Sequence, residues 1–299
     1  MPSNEQRRAA AKRKLERQLA NRAARARKRK QLTIAASALG VVVAVAAGVG
    51  IYYLTRGDDD TATTATTSET PETPEASLAS APPSAKPKPE LVNCTYRDSG
   101  EASRPVDKPR AEGIRTTGDD ATLSVSMQTS QGPVGLTLNN AESPCTTNSF
   151  ASLASQKYFD GTSCHRLSTS GLKILQCGDP TGTGTGGPGY AFDNEYPTDQ
   201  YAPDDPAAQS TPVKYERGVI AMANSGPSPD GTGTNGSQFF LVYGDSQLPP
   251  QYTIFGTIDE AGLETLDKVA AAGDDGSMEP SPGGGKPNLP VTLESVQID

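Results

Sequence analysis

From Leu32 to Leu54 the chain runs LTIAASALGVVVAVAAGVGIYYL, 23 residues without one charged side chain. A helix of that length spans the hydrocarbon core of a bilayer, about 30 Å. The run divides the chain into parts of opposite charge. Residues 1–31 hold twelve Lys and Arg against Glu5 and Glu16, a net of +10, whereas everything beyond carries −18 of the overall −8. Tyr52 and Tyr53 stand where an interfacial aromatic pair would, with Arg56 just outside. A basic flank is retained in the cytoplasm, so the C-terminal body is expected outside it. A cleaved signal peptide has a shorter apolar stretch and a small-residue cleavage site, for which AVAAG at 44–48 is a poor match. A lipoprotein needs a Cys directly after the run, and the first is Cys94. The expectation is an uncleaved single-pass anchor in the cell membrane, its N-terminus cytoplasmic and its body extracytoplasmic.

The basic arm, 1–31, lacks any base-reading motif or aromatic platform, and anionic cytoplasmic lipid accounts for its charge; no nucleic-acid partner is expected. Residues 55–92 contain almost nothing apolar larger than Ala. Such a Thr/Pro/Ser/Glu mixture buries too little surface to offset chain entropy, so it reads as a disordered stalk. The folded body is therefore expected at 93–299.

Within that body, ATLSVSMQTSQGPVGLTLN alternates at period two: Leu123, Val125 and Met127 share a face, as do Val134, Leu136 and Leu138 after a turn at Gln131-Gly132-Pro133. Phe150, Leu153 and Ala154 then recur at helical spacing, with Ser143 or Thr146 as caps. Short β-branched and aromatic runs follow at 218–224, 237–243 and 253–258, then a helix with Leu263, Leu266, Val269 and Ala270 on one face, then a last strand in LPVTLESVQI. Many short strands with two helices suggest a closed antiparallel barrel.

Four cysteines, Cys94, Cys145, Cys164 and Cys177, lie beyond the anchor, where disulfides persist, and allow three full pairings. If SCHRL and ILQCG are the arms of one hairpin, Cys164 and Cys177 face each other, which leaves Cys94 for Cys145.

Familiar catalytic patterns fit poorly. His165 is the only histidine, but no G-x-S-x-G elbow accompanies it, and zinc on Cys164, His165 and Cys177 would lack a fourth ligand. The glycine-rich stretch QCGDPTGTGTGGPGYAFDNEY has neither the Lys-Ser/Thr ending of a P-loop nor the strand and helix of a dinucleotide site. No metal and no cofactor are expected.

Five blocks carry a more specific signal: YFDGTSCHRL, QCGDPTGTGTGGPGYAFDNEY, GVIAMANSGP, TNGSQFFLVY and YTIFGTI. In order and approximate spacing they resemble the cyclophilins, cyclosporin-binding peptidyl-prolyl cis-trans isomerases, over about residues 120–299. The anchored arrangement is similar to exported cyclophilins of actinobacteria. The resemblance implies a closed eight-stranded antiparallel β-barrel capped by two α-helices, and an isomerase acting on X-Pro bonds of exported, proline-containing polypeptides to assist their folding. Its alternative is a proline-peptide-binding or chaperone module with little turnover; a third reading makes the body a mere scaffold on an envelope tether.

Carried over by motif, Arg166 matches the catalytic arginine, His165 its neighbouring histidine, and Gln176 the side chain that binds substrate backbone. Ala223 and Asn224 match the backbone-pairing segment, Gln238 another groove position, Phe240 the pocket floor, Leu248 a wall and Tyr252 the rim. The chain departs from the family in LSTSGLKILQ, which is two residues longer and lacks the usual Phe and Met; Leu172 and Ile174 are the best replacements. Gln247 stands where cyclosporin-sensitive members carry Trp, so weak or no cyclosporin binding is expected.

Overall fold

The computed structural model describes residues 79–202, 205–206, 210–228 and 231–299. The basic arm, the run 32–54 and most of the stalk lie outside the described residues. Among those described, no helix is long and apolar enough to cross a membrane.

Nine antiparallel strands form a half-barrel: β1 (Thr122–Thr129), β2 (Gly132–Asn139), β3 (Thr162–Ser163), β4 (Arg166–Ser168), β5 (Ile174–Cys177), β6 (Val219–Met222), β7 (Phe239–Val242), β8 (Ile254–Ile258) and β9 (Thr292–Ile298). Their lateral order is β3-β9-β1-β2-β8-β6-β7-β5-β4. Among the described residues, the helices α1 (Pro144–Ser155) and α2 (Glu260–Ala271) accompany the sheet. The family resemblance implies eight strands, and the ninth arises because the segment Thr162–Ser168 changes partner midway. Cys164 N donates to Val291 O at 2.9 Å, on the β9 side, whereas His165 N donates to Gln176 O at 3.0 Å, on the β5 side. One stretch of chain thus serves both ends of the sheet.

Alternation in β1 and β2 builds the core. Leu123 faces Leu138, Val125 faces Leu136 and Met127 faces Val134 across the ladder, and all but Leu123 are fully buried. The turn falls one step earlier than the Gly-Pro pair suggests, at Ser130-Gln131, because Thr129 Oγ1 donates to Gly132 O at 2.7 Å and accepts from Gln131 N at 3.1 Å. Gly132 and Pro133 then open β2. A Cβ on Gly132 would lie 2.6 Å from Thr265 Oγ1, so the missing side chain lets α2 close on the hairpin.

Phe150 and Phe159 stack at 5.0 Å between ring centroids, and both meet Phe239 edge-on, at 5.4 and 5.6 Å. Helix α1 begins unexpectedly. The Ser143 hydroxyl donates to Ile254 O and caps nothing, and Thr146 lies within the helix. The cap is Glu195, whose carboxylate accepts from Cys145 N (3.0 Å), Thr146 N (2.8 Å) and Thr146 Oγ1 (2.7 Å), satisfying donors that open a helix. Disulfides join Cys94 to Cys145 and Cys164 to Cys177.

The end of the stalk, 79–92, runs along this body. Ser80 O accepts from Lys214 N at 2.9 Å, Lys88 pairs with Asp199, Pro89 O accepts from Thr116 Oγ1 at 2.8 Å, and Leu91–Val92 pairs with Ile114–Arg115. Among the described residues, no cluster of three or more His, Cys, Asp or Glu is placed to hold a metal.

Candidate functional site

Strand register assembles the site. Arg166 on β4 stands opposite Gln176 on β5, Gln176 opposite Phe240 on β7, and Phe240 opposite Ala221 on β6. Directly opposed residues present their side chains to the same face of a sheet, so a cation, an amide and an aromatic ring lie in one row. Their neighbours Leu167, Leu175 and Phe239 face the core. The two adjacent phenylalanines are thereby separated: Phe239 joins the aromatic core, and Phe240 joins a smaller cluster with Ile174, Val213, Tyr215, Ala221 and Val242.

Phe240 forms the floor of a cavity of about 490 Å³. Its walls include His165, Arg166 and Gln176 on one side, and Ala223, Asn224, Leu248 and Tyr252 on the other. Leu172 and Ile174, the aliphatic substitutes in the longer loop, both reach it. Tyr252 meets the Phe240 ring edge-on at 5.9 Å. Gln238 stands apart, lining an adjacent cavity of about 500 Å³ that shares Gln176, Ala223 and Asn224. It joins the row through a hydrogen bond, Gln176 Nε2 to Gln238 Oε1, at 2.9 Å. The Asn224 side-chain amide donates to Asn194 Oδ1, Asn235 Oδ1 and Gln251 O. Ala223 N donates to Gln238 O at 2.9 Å.

Arg166 is 8% exposed. Burial lowers its pKa from the ordinary arginine value, against the pull of Tyr252 and Glu279. Its Nη1 donates to Gln176 Oε1 at 3.2 Å, and Nε and Nη2 donate to the carbonyls of Gly283 and Pro282. His165 is 5% exposed, and neither ring nitrogen has a hydrogen-bond partner among the described residues. Burial lowers its pKa, with Asp179 opposing and Arg166 adding to the shift, so the imidazole facing the cavity is neutral at pH 7.

Sequence reasoning missed the two groups that organise this wall. One is Asp179, fully buried inside the glycine-rich stretch. Its carboxylate accepts from Thr181 N (2.7 Å), Thr183 N (3.1 Å), Gly184 N (2.7 Å) and the Thr181 hydroxyl. Burial raises its pKa, but the Thr181 side chain and the backbone donors outweigh this and hold it below the usual carboxylate value. A Cβ on Gly186 would lie 2.0 Å from Asp179 Oδ1, so the glycines allow the loop to wrap closely round a buried charge. An Asp two residues before a Thr, in a run of glycines, was the available signal. The other is the segment Met278–Gly283, for which no motif gave warning.

The sequence of the body matches the family described as cyclophilin type peptidyl-prolyl cis-trans isomerase over residues 124–297. The whole chain is 53% identical to all of a probable peptidyl-prolyl cis-trans isomerase B of Mycobacterium leprae. It is 57% identical to a protein of the same description from Mycobacterium tuberculosis, covering 95% of that relative. A crystal structure of a Cryptosporidium parvum cyclophilin type isomerase in the presence of the dipeptide Ala-Pro is 30% identical, with a TM-score of 0.45, and is matched over 98% of its chain and 59% of this one. With an arginine, a glutamine and a phenylalanine aligned across neighbouring strands and a family match over most of the folded body, the chain belongs to the cyclophilin-type peptidyl-prolyl cis-trans isomerases.

Proposed function

We propose that the 490 Å³ cavity seats the proline of an X-Pro segment and that Arg166 supplies the catalytic hydrogen bond. Rotation about an X-Pro bond is slow, tens to hundreds of seconds, because it breaks amide resonance, a barrier of about 18–20 kcal/mol. A donor at the prolyl nitrogen favours the twisted, pyramidal state over the planar one, so it binds the transition state better than the ground state. Lowering the barrier by about 7 kcal/mol gives about 10⁵-fold. Arg166 suits this task because its charge is permanent and its donors are directional. Phe240, with Leu172, Ile174, Leu248 and Tyr252, holds the proline ring. Gln176 and Gln238 with the Ala223–Asn224 backbone hold the flanking chain. The observation that carries this reading is the cross-strand row Arg166–Gln176–Phe240.

The same reading extends to place and client. The uncharged run 32–54 and the basic arm support a single-pass anchor that leaves the body outside the cytoplasm, where two disulfides persist. Clients are then exported, proline-containing polypeptides, and the enzyme assists their folding. The two-residue gap between β3 and β4, the outermost strands, supports closure of the sheet into a barrel. Gln247 is exposed and offers no large ring, which supports weak cyclosporin binding.

A protease-coupled isomerisation assay of the full-length protein in detergent, wild type against Arg166→Ala, tests the function. Acceleration lost by at least 100-fold in the variant is expected. A folded wild type that binds proline peptides without accelerating isomerisation would instead be a binding module. Nanomolar inhibition by cyclosporin in the same assay would contradict the role given to Gln247. Surface protease digestion of intact cells tests the topology: the body should be cleaved and the basic arm protected.

A further inference from the structure

The segment between α2 and β9 reaches into the site. Met278 and Pro282 line the same cavity as Arg166 and Phe240, together with Leu172 and Ile174 from LSTSGLKILQ. The segment is fastened to the strand that bears Arg166. Leu167 and Gly285 exchange backbone hydrogen bonds at 2.8 and 2.9 Å, and Thr169 Oγ1 donates to Asp274 Oδ2 at 3.0 Å. It is also closed on itself: Met278 and Gly283–Gly284 exchange backbone bonds, and Gly284 N donates to Glu279 Oε1 at 2.7 Å.

Its carbonyls meet the guanidinium. Arg166 Nε donates to Gly283 O at 2.9 Å and Nη2 to Pro282 O at 2.7 Å. With Nη1 on Gln176, all three nitrogens are engaged. A guanidinium has five N–H donors, so these three bonds fix the plane of the fork and leave one hydrogen on each terminal nitrogen for a substrate. Pro282 and Leu172 also border a second cavity, about 630 Å³, lined by Lys173, Lys214, Asp245, Gln247 and Glu279. A chain entering past Ala223 and Asn224 and leaving beyond Arg166 would pass Pro282.

We propose that Met278–Gly283 is a fixed wall of the substrate groove: the Pro282 and Gly283 carbonyls position Arg166, and the Met278 and Pro282 side chains select the residues that flank the substrate proline. The proposal rests on Arg166 and Phe240 being the proline site.

Three variants of the full-length chain test it, with kcat and KM separated by NMR exchange on two proline peptides, one with Ala and one with Leu at the flanking positions. Met278→Ala, which leaves the Pro282 and Gly283 carbonyls in place, should raise KM about fivefold with kcat within about twofold, and change the preference between the peptides. Pro282→Ala, whose own carbonyl accepts from Arg166, should change the preference and lower kcat as well. Gly284→Val acts on the carbonyls. Gly284 has φ +75° and its Cβ would lie 2.1 Å from Leu167 O, so a side chain there prises the segment off β4. The Arg166 ¹⁵Nε resonance should move and kcat fall more than tenfold. Unchanged KM and preference in both alanine variants would overturn the selective wall, and a gain in kcat/KM would make the segment an inhibitor instead. An unmoved Arg166 resonance in folded Gly284→Val would overturn the positioning role. Should Gly284→Val not fold, Gly283→Ala, read by the same resonance, replaces it. A folded wild type without turnover would overturn the enzyme reading, and peptide Kd values would then judge the wall separately.

Discussion

Gln176 donates its side-chain amide to Gln238 Oε1 at 2.9 Å while accepting from Arg166 Nη1 at 3.2 Å. Gln238 in turn donates to the carbonyls of Gly184 and Gly186, each at 3.0 Å. The guanidinium is therefore joined, through two glutamines, to a loop folded round the buried Asp179 carboxylate.

Truncating the first glutamine should loosen the whole line. Gln176→Ala removes the acceptor for Arg166 Nη1 and the donor to Gln238 Oε1, and a hydrogen bond to a charged group contributes about 1.5–3 kcal/mol. A loss of about 10- to 100-fold in kcat/KM is expected in the coupled assay. Since Gln238 acts through Gln176, the double variant Gln176→Ala/Gln238→Ala should lose less than the two single losses multiplied.

Asp179 should matter for the site although it touches no substrate. Asp179→Ala removes the acceptor for three backbone donors, so the loop that carries Gly184 and Gly186 should detach from Gln238. Faster amide hydrogen exchange at 181–186, with kcat/KM down about tenfold, is the expected pair of results. The acid response follows from the lowered pKa. The stabilisation is fully present above the ordinary Asp value, about 3.9, and is lost as pH falls through the lower folded value. Loop exchange in the wild type should therefore rise only below about pH 4, and in Asp179→Asn this acid dependence should vanish.

What could be read from sequence was what depends on local pattern. The faces of β1 and β2 and both helices follow from periods of two and 3.6, and period two puts Phe239 and Phe240 on opposite faces, although only the resemblance assigned Phe240 to the pocket. The resemblance supplied the residues that the register then aligned, Arg166 with Gln176 and Phe240. What stayed hidden depends on distant partners. Glu195 caps a helix that begins about 50 residues earlier, where Ser143 carried the local signal and spends its hydroxyl on Ile254. The splitting of β3 from β4 depends on β9 and β5 competing for one stretch of chain. Met278 and Pro282 sit in a Gly/Pro-rich connection whose composition says only that it turns.

His165 lends itself to a pH test. Its folded pKa is lowered, chiefly by burial, so protonation favours the unfolded chain. The corresponding stability is fully present above the unfolded value, about 6.5, and is lost as pH falls from there through the lower folded value. The urea midpoint should drop between pH 7.5 and 5, and His165→Gln should flatten that part of the curve. Because the imidazole stays neutral, kcat/KM should show no inflection near pH 6.5. An inflection that disappears in His165→Gln would mean that the cavity holds a charged imidazole during turnover.

The two disulfides should differ in what their loss does. Cys94–Cys145 spans 51 residues and ties the start of the body to α1, far along the chain from Arg166. Chain entropy assigns its closure about 4 kcal/mol, against about 3 kcal/mol for the 13-residue span of Cys164–Cys177. The shorter bridge, however, flanks the row that forms the site, since Cys164 precedes His165 and Arg166, and Cys177 follows Gln176. Cys94→Ser/Cys145→Ser should therefore lower the denaturation midpoint more, while leaving kcat/KM of the folded fraction within about twofold. Cys164→Ser/Cys177→Ser should lower the midpoint less and kcat/KM more, because the register of Arg166 against Gln176 loses its covalent clamp. Denaturant titration with the isomerisation assay on each variant decides between this order and its reverse.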